Sequence, residues 1–169
     1  MKTKLETINV LLEDALCRST CVKRAVGAVM ELANGALVAG WNGPTEDFEI
    51  YCIPCPRGDA KSGDRMDICP AVHAEIRALL RCRSDARRGT LWITCGLPCK
   101  DCMKELVEAG ITKIVSPYPL GDGEHKGPKV GVYNFPLARK MMESAHIEYV
   151  YEPKLTKGET AHVQRNEST

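Results

Sequence analysis

Residues 71–116 read AVHAEIRALLRCRSDARRGTLWITCGLPCKDCMKELVEAGITKIVS, and this stretch decides the fold. Ala71 to Cys82 carries Ile76, Leu79 and Leu80 at helical spacing, and Thr90 to Thr94 is a short run of β-branched and aromatic residues that predicts a strand. Cys99 to Ala109 is again helical, with Pro98 just before it and Gly110 just after it, the placement that helix ends favour. Ile111 to Ser116 follows as a second strand. Helices alternating with strands predict parallel pairing, because a crossover helix returns the chain to the same end of the sheet.

Each of these helices opens on a short polar motif. His73-Ala74-Glu75 starts the first and Pro98-Cys99-Lys100-Asp101-Cys102 starts the second, so His73, Cys99 and Cys102 are predicted to face one another across the intervening strand. Helix N-termini favour negative sulfur, which suits the two cysteines as thiolates. One imidazole and two thiolates form a donor set for zinc, and three protein ligands leave a tetrahedral ion one open position, the mark of a catalytic site. Glu75 cannot easily reach the same ion as His73, but it can take a proton from water and return it, which predicts a general acid and base. By itself Cys99-x-x-Cys102 would fit half a zinc ribbon or a redox pair; its pairing with His73-x-Glu75 argues for catalysis.

Outward from this centre, Leu5, Ile8, Leu11, Leu12, Ala15 and Leu16 predict an amphipathic helix ending near Arg18. Val26 to Leu32 and Ala36 to Trp41 read as strands joined at Asn34-Gly35, whose tolerance of positive φ predicts a tight primed turn and an antiparallel pair. After a polar, glycine-rich connection from Gly121 to Gly131, Phe135 to Ala145 reads as a helix and Ile147 to Tyr151 as a final strand. The expected architecture is α/β: a mixed five-stranded sheet, its first hairpin antiparallel, with helices on both faces. Residues 1–153 form a single expected domain, and residues 154–169, polar and without apolar periodicity, read as a disordered tail.

The chain of 169 residues is 44% hydrophobic and carries 23 Lys and Arg against 22 Asp and Glu, a formal charge of +1. That balance lacks the basic excess of a nucleic-acid binder and favours a small-molecule partner. Glu6, Glu13 and Asp14 interrupt the N-terminal region, so neither a signal peptide nor a membrane span is expected, and the predicted location is cytoplasmic. Nine cysteines, an odd count without an export signal, point to metal ligation and buried thiols rather than disulfides. Cys82 and Cys95 have apolar neighbours and read as buried thiols. Cys52, Cys55 and Cys69 fall in a long loop, Gly43 to Pro70, that Pro44, Pro54, Pro56 and Gly58 keep irregular.

The His-x-Glu and Pro-Cys-x-x-Cys pair resembles the zinc-dependent cytidine and deoxycytidylate deaminase family, and the deoxycytidylate branch in particular. Cys17-Arg18-Ser19-Thr20-Cys21, Val26-Gly27-Ala28-Val29 and Gly40-Trp41-Asn42-Gly43-Pro44 are similar to that branch's opening helix, first strand and Gly-Tyr-Asn-Gly turn, with Trp41 in place of tyrosine. The resemblance covers roughly residues 5 to 151. It implies a cytidine-deaminase-like three-layer α/β/α sandwich and hydrolytic deamination of dCMP to dUMP plus ammonia, with dCTP as a further substrate, feeding thymidylate synthesis. It also implies that Asn42 contacts the sugar or phosphate and that Tyr118 lines the same pocket. Against this, Asn42 would also suit a turn and Tyr118 a partly buried aromatic position.

The same resemblance implies a second, structural zinc at Cys52, Cys55 and Cys69, with Cys21 as fourth ligand and Cys17 as its rival. A homo-oligomer, often a hexamer, with dCTP and dTTP as effectors is implied as well. One departure is Arg77, where the branch usually has asparagine. An arginine there either grips phosphate bidentately or lies on an exposed helix face, and the exposed face is the simpler reading. Two alternatives stand beside dCMP deamination: the same chemistry on guanine or a tRNA adenosine, and a catalytically silent zinc module that senses nucleotides.

Overall fold

The first helix is fixed by its start. The Thr3 hydroxyl accepts a hydrogen bond from the Glu6 N–H and the Glu6 carboxylate accepts one from the Thr3 N–H, a reciprocal cap that sets α1 over Lys4–Arg18. The computed structural model describes residues 2–60, 63–82, 86–121 and 133–158. Strands β1 (Gly27–Glu31) and β2 (Leu37–Trp41) follow as an antiparallel hairpin. Its turn differs from the primed Asn-Gly form. Leu32 O accepts from Gly35 N and Ala36 O accepts from Leu32 N, so the loop is Ala33-Asn34-Gly35. Gly35 takes the positive φ of 84°, while the Asn34 side chain accepts from Ala36 N at 3.0 Å. A three-residue loop with glycine in the left-handed position matches the strand twist equally well.

The remaining elements are α2 (Ala74–Arg81), β3 (Thr90–Ile93), α3 (Lys100–Glu108), β4 (Lys113–Ser116), α4 (Phe135–Ser144) and β5 (Glu148–Tyr151). The sheet order is β2-β1-β3-β4-β5, with β1 antiparallel to both neighbours and β3, β4 and β5 parallel. The mixed five-stranded sheet is therefore as expected. Its antiparallel part reaches one pair beyond the hairpin, because β2 and β3 run the same way on either side of β1.

Alternation along the strands builds two cores. Ala28, Met30, Leu91, Ile93 and Ile114 pack with Ala74 and Ala78 of α2, Met103 and Leu106 of α3 and Ala138 and Met142 of α4. Val29, Trp92 and Val115 point the other way, onto Ile8 and Leu12 of α1. The result is a three-layer sandwich with α1 on one face and the other helices on the opposite face. Among the described residues no helix is long and apolar enough to cross a membrane.

Of the expected Ile76, Leu79 and Leu80, the first two are half-buried against the core of α2 and the sheet, and the third is not. Leu80 is 72% exposed, and the buried positions are Ala74, Glu75 and Ala78. The reason is close approach: a Cβ on Gly40 of β2 would lie 2.3 Å from Ala78 N and 2.4 Å from Ala74 O, so only small residues let helix and sheet touch. Trp41, next along β2, is covered by the guanidinium groups of Arg18, Arg77 and Arg81, the last 3.9 Å from the ring centre. The long Gly43 to Pro70 loop also holds two 3₁₀ turns, Glu46–Cys52 and Met66–Ile68.

The tail expected to be disordered from Lys154 is packed as far as Gly158; residues 159–169 lie outside the described residues. Leu155 is buried in the α1-side core. The Asn9 amide donates to Lys154 O at 3.0 Å and its Oδ1 accepts from Thr156 N at 2.9 Å, while Gly158 N donates to Thr94 O at 2.7 Å. Composition missed this strap because its anchors are one leucine and backbone groups. Gly40→Ala is expected to lower the free energy of unfolding by about 2 kcal/mol or more in a denaturant titration, from overpacking against backbone. A change below about 0.5 kcal/mol would contradict the close α2 contact.

Candidate active site

His73 and Cys99 are the residues immediately before α2 and α3, both with extended backbone (φ/ψ −70°/149° and −66°/166°), and neither side chain caps its own helix. Both are thereby turned toward each other. His73 Nδ1 lies 3.1 Å from Cys102 Sγ and 3.6 Å from Cys99 Sγ, and the three donor atoms all fall within 4.8 Å of one another. Among the described residues no other group of His, Cys, Asp and Glu is this tight. The Cys102 S–H bond and the neighbouring His73 hold Cys99 down to about 4, whereas His73 is pushed up to about 9 chiefly by its bond to Cys99. Cys102 is raised by the same sulfur contact and by burial. Imidazole nitrogen with two converging sulfurs, the cysteines buried, fits a zinc ion and leaves room for a fourth ligand.

Glu75 is one residue into α2's inward face, 5% exposed, and burial raises its carboxyl above the usual range. It borders a cavity of about 520 Å³ together with His73, Cys99, Asn42 and Tyr118. That size suits a small organic ligand. The structure thus brings His73, Cys99 and Cys102 together at one point and places Glu75, Asn42 and Tyr118 on the wall of the adjoining cavity. Asn42 is nonetheless busy: Oδ1 accepts from Val26 N and Ser19 Oγ, both at 2.7 Å, and Nδ2 donates to Arg24 O at 2.7 Å. Its first duty is to hold the segment between α1 and β1, with one amide hydrogen beyond these bonds to offer a ligand. Tyr118 carries Lys157 Nζ 5.5 Å above its ring, on the strap.

Arg77 does not line this cavity. Its Nη2 donates to Gly43 O and Pro44 O, each at 2.7 Å, so the side chain reaches back along the sheet to clamp the turn after β2. The substrate contact considered for it gives way to this bond, and the exposed-face reading fails too, since the residue is half-buried. The cavity's cations are instead Lys23, Arg24 and Arg57, and Gly158 closes one wall. Sequence reasoning passed over all four. Only the turn signature Pro56-Arg57-Gly58 beside Cys55 could have drawn notice.

Cys21, Cys52, Cys55 and Cys69 surround a separate cavity of about 20 Å³, room for a single water-sized species. Burial and then the nearby Cys55, Cys69 and Cys21 raise the Cys52 thiol. Cys17 is exposed and absent from this wall, so Cys21 is the cysteine that joins the loop's three. Cys82 is buried and donates to Ala78 O at 3.1 Å, and burial pushes the Cys95 thiol up.

Residues 1–117 match the family model of the cytidine and deoxycytidylate deaminase zinc-binding region. The chain belongs to this family. It is 34% identical over 108 residues to a deoxycytidylate deaminase of Saccharomyces cerevisiae, which covers 60% of this chain and 33% of that protein. A deoxycytidylate deaminase of Mycobacterium phage D29 is 36% identical over 110 residues, covering 59% of this chain and 83% of that one. The match therefore spans about a third of the yeast relative and most of the phage one. In fold, the chain is similar to the dCMP deaminase of cyanophage S-TIM5 crystallised with dCMP and dUMP, with a TM-score of 0.57 at 20% identity, covering 89% of this chain and all of that one. As a zinc-binding deaminase domain, the family fits the His73, Cys99 and Cys102 donor set. Cys102→Ser is expected to lower bound zinc by about one ion per chain in elemental analysis, because the ion would keep only His73 and Cys99 of its three protein ligands; unchanged zinc would assign the ion elsewhere.

Proposed function

We propose that this protein deaminates a deoxycytidine nucleotide by hydrolysis, dCMP first and dCTP as a further substrate, releasing the deoxyuridine nucleotide and ammonia. The observation that carries the reading is the buried Glu75 carboxyl in one cavity with His73 and Cys99. Membership of the deaminase family and the deoxycytidylate deaminase names of its yeast and phage relatives support the choice of base. Lys23, Arg24 and Arg57 around the cavity of a chain with formal charge +1 favour a phosphorylated ligand over a free base.

In this reading His73, Cys99 and Cys102 hold zinc, which when bound supplies the Lewis acidity that makes water a nucleophile near neutral pH. Glu75 would take one proton of the attacking water to the ring nitrogen of cytosine and the second, from the new C4 hydroxyl, to the amino group, which leaves as ammonia. The C4–N bond breaks and a C4–O bond forms, so no redox partner is needed. Burial suits Glu75 to this work because it keeps the proton affinity of the carboxyl high enough to hold the proton between transfers. Asn42 and Tyr118 serve as walls for the sugar. Cys21, Cys52, Cys55 and Cys69 hold a second, structural zinc, their shared small cavity being the support for it. Assembly into a homo-oligomer, a hexamer included, control by dCTP and dTTP, and a cytoplasmic setting belong to the same proposal; light scattering and kinetics with each triphosphate test the first two.

Ammonia release by zinc-loaded protein should be fastest with dCMP or dCTP when cytidine, guanine and a tRNA are run beside them. Activity confined to guanine or tRNA would overturn the substrate, and silence throughout would favour a nucleotide sensor. Glu75→Gln should lose about 10²- to 10⁴-fold in kcat with zinc content unchanged. Elemental analysis should find two zinc ions per chain, and a single ion would remove the structural site.

A further inference from the structure

The chain leaves β5 and runs back across the carboxyl ends of its neighbours. Glu152 N donates to Ser116 O, at the end of β4, at 2.8 Å, and Gly158 N donates to Thr94 O, just past β3, at 2.7 Å. The carboxyl ends of parallel strands are where α/β sheets place their ligands, and Gly158 lines the Glu75 cavity. Its seat is narrow: a Cβ at position 158 would meet Ala25 O at 2.9 Å and Thr94 Oγ1 at 3.0 Å. Lys157, one residue earlier, sets its Nζ 5.5 Å above the ring of Tyr118, a second residue of the cavity wall.

Ordering this strap costs backbone entropy, and little apolar burial offsets it, since of residues 152–158 only Leu155 is buried. Polar bonds from one side chain make up the difference. Asn9 Nδ2 donates to Lys154 O at 3.0 Å, while Asn9 Oδ1 accepts from Thr156 N at 2.9 Å and from the Thr156 hydroxyl at 3.2 Å. The amide thus grips the strap on both sides of Leu155. Asn9 belongs to α1, on the sheet face opposite the helices that carry Glu75 and Cys102, and it is not among the residues lining the cavity. We infer that Asn9 is a positioning residue for the ligand: it holds the strap, and the strap holds the Gly158 wall on which the cavity's affinity depends. A ligand that needs this wall binds only the fraction of molecules whose strap is seated, so loosening the anchor weakens binding in proportion.

Two readouts on the zinc-loaded full-length protein separate this role from a general loss of stability. Trypsin reports the strap directly, because Lys154 and Lys157 are exposed within it. Cleavage there, identified by mass spectrometry, should be about 10-fold faster in Asn9→Ala than in wild type, and deoxyuridine monophosphate should slow it in both. Calorimetry should find that Asn9→Ala binds this nucleotide about 10-fold more weakly, with the zinc of the His73 site retained and kcat on dCMP within about twofold. Asn9→Asp keeps the acceptor for Thr156 N and loses the donor to Lys154 O, so it should fall between, and Thr156→Val, without the hydroxyl, should lie closer to wild type. A general loss of folding would instead reduce the number of binding sites and the apparent kcat at unchanged affinity, which overturns the positioning role. Faster cleavage with unchanged affinity overturns the link from strap to ligand, and unchanged cleavage in Asn9→Ala overturns the anchoring. The choice of probe rests on the nucleotide reading above: wild type that binds no deoxyuridine monophosphate counts against that reading, whereas the cleavage rates judge the anchoring by themselves.

Discussion

Where a chain sets the first residues of two helices against each other, it gathers unpaired backbone N–H groups and the positive ends of two macrodipoles in one place. His73 and Cys99 are those residues here, and Cys102 is one turn into the second helix. Such a field favours thiolate over thiol, the form of sulfur that binds a metal. The sheet order makes the meeting possible. With β1 antiparallel between β2 and β3, the chain enters α2 and α3 from the same edge of the molecule, and their N-termini end within bonding distance of a common point.

The depth of Glu75 follows from the same packing. Gly40, Ala74 and Ala78 bring α2 close onto the hairpin, and Glu75, the residue after Ala74, is left 5% exposed at the wall of the cavity. A carboxyl buried in this way holds its proton more tightly than an exposed one, because burial penalises the charged form.

Much of this was legible in advance, for a physical reason. The donor residues occupy helix starts, and helix starts are marked locally by proline, polar residues and the onset of apolar spacing; the pair His73-x-Glu75 and Cys99-x-x-Cys102 could therefore be placed on elements directly. The hairpin was marked by Asn34-Gly35, although the loop uses three residues and only Gly35 in the left-handed region. What was hidden depends on distant partners. Leu80 has the composition of a core residue and points to solvent, since the sheet accepts only small side chains at that contact. Arg77 lies four residues along the helix from His73, yet it bonds the Gly43 and Pro44 carbonyls, which no local pattern shows. The strap looked like a tail because its order comes from Asn9 and Thr94, more than sixty positions away in sequence.

A division of labour follows. The reacting centre is built from helix caps inside residues 1–117, the region matched by the family model. The cavity around it is closed by Arg57 and Met66 of the cysteine loop, by Ala71 just after that loop, and by Tyr118, Tyr133, Phe135 and Gly158, which last four lie beyond the matched region. Connections tolerate change more readily than caps and strands, so a fold of this kind can keep one hydrolytic chemistry while its walls are exchanged. Gly158 shows how such a wall is held: a Cβ there would come within 2.9 Å of Ala25 O and 3.0 Å of Thr94 Oγ1, so the strap reaches the cavity only because that position has no side chain. The shape of the cavity is thus set in part by backbone packing far from the donor atoms, and it can vary without disturbing them.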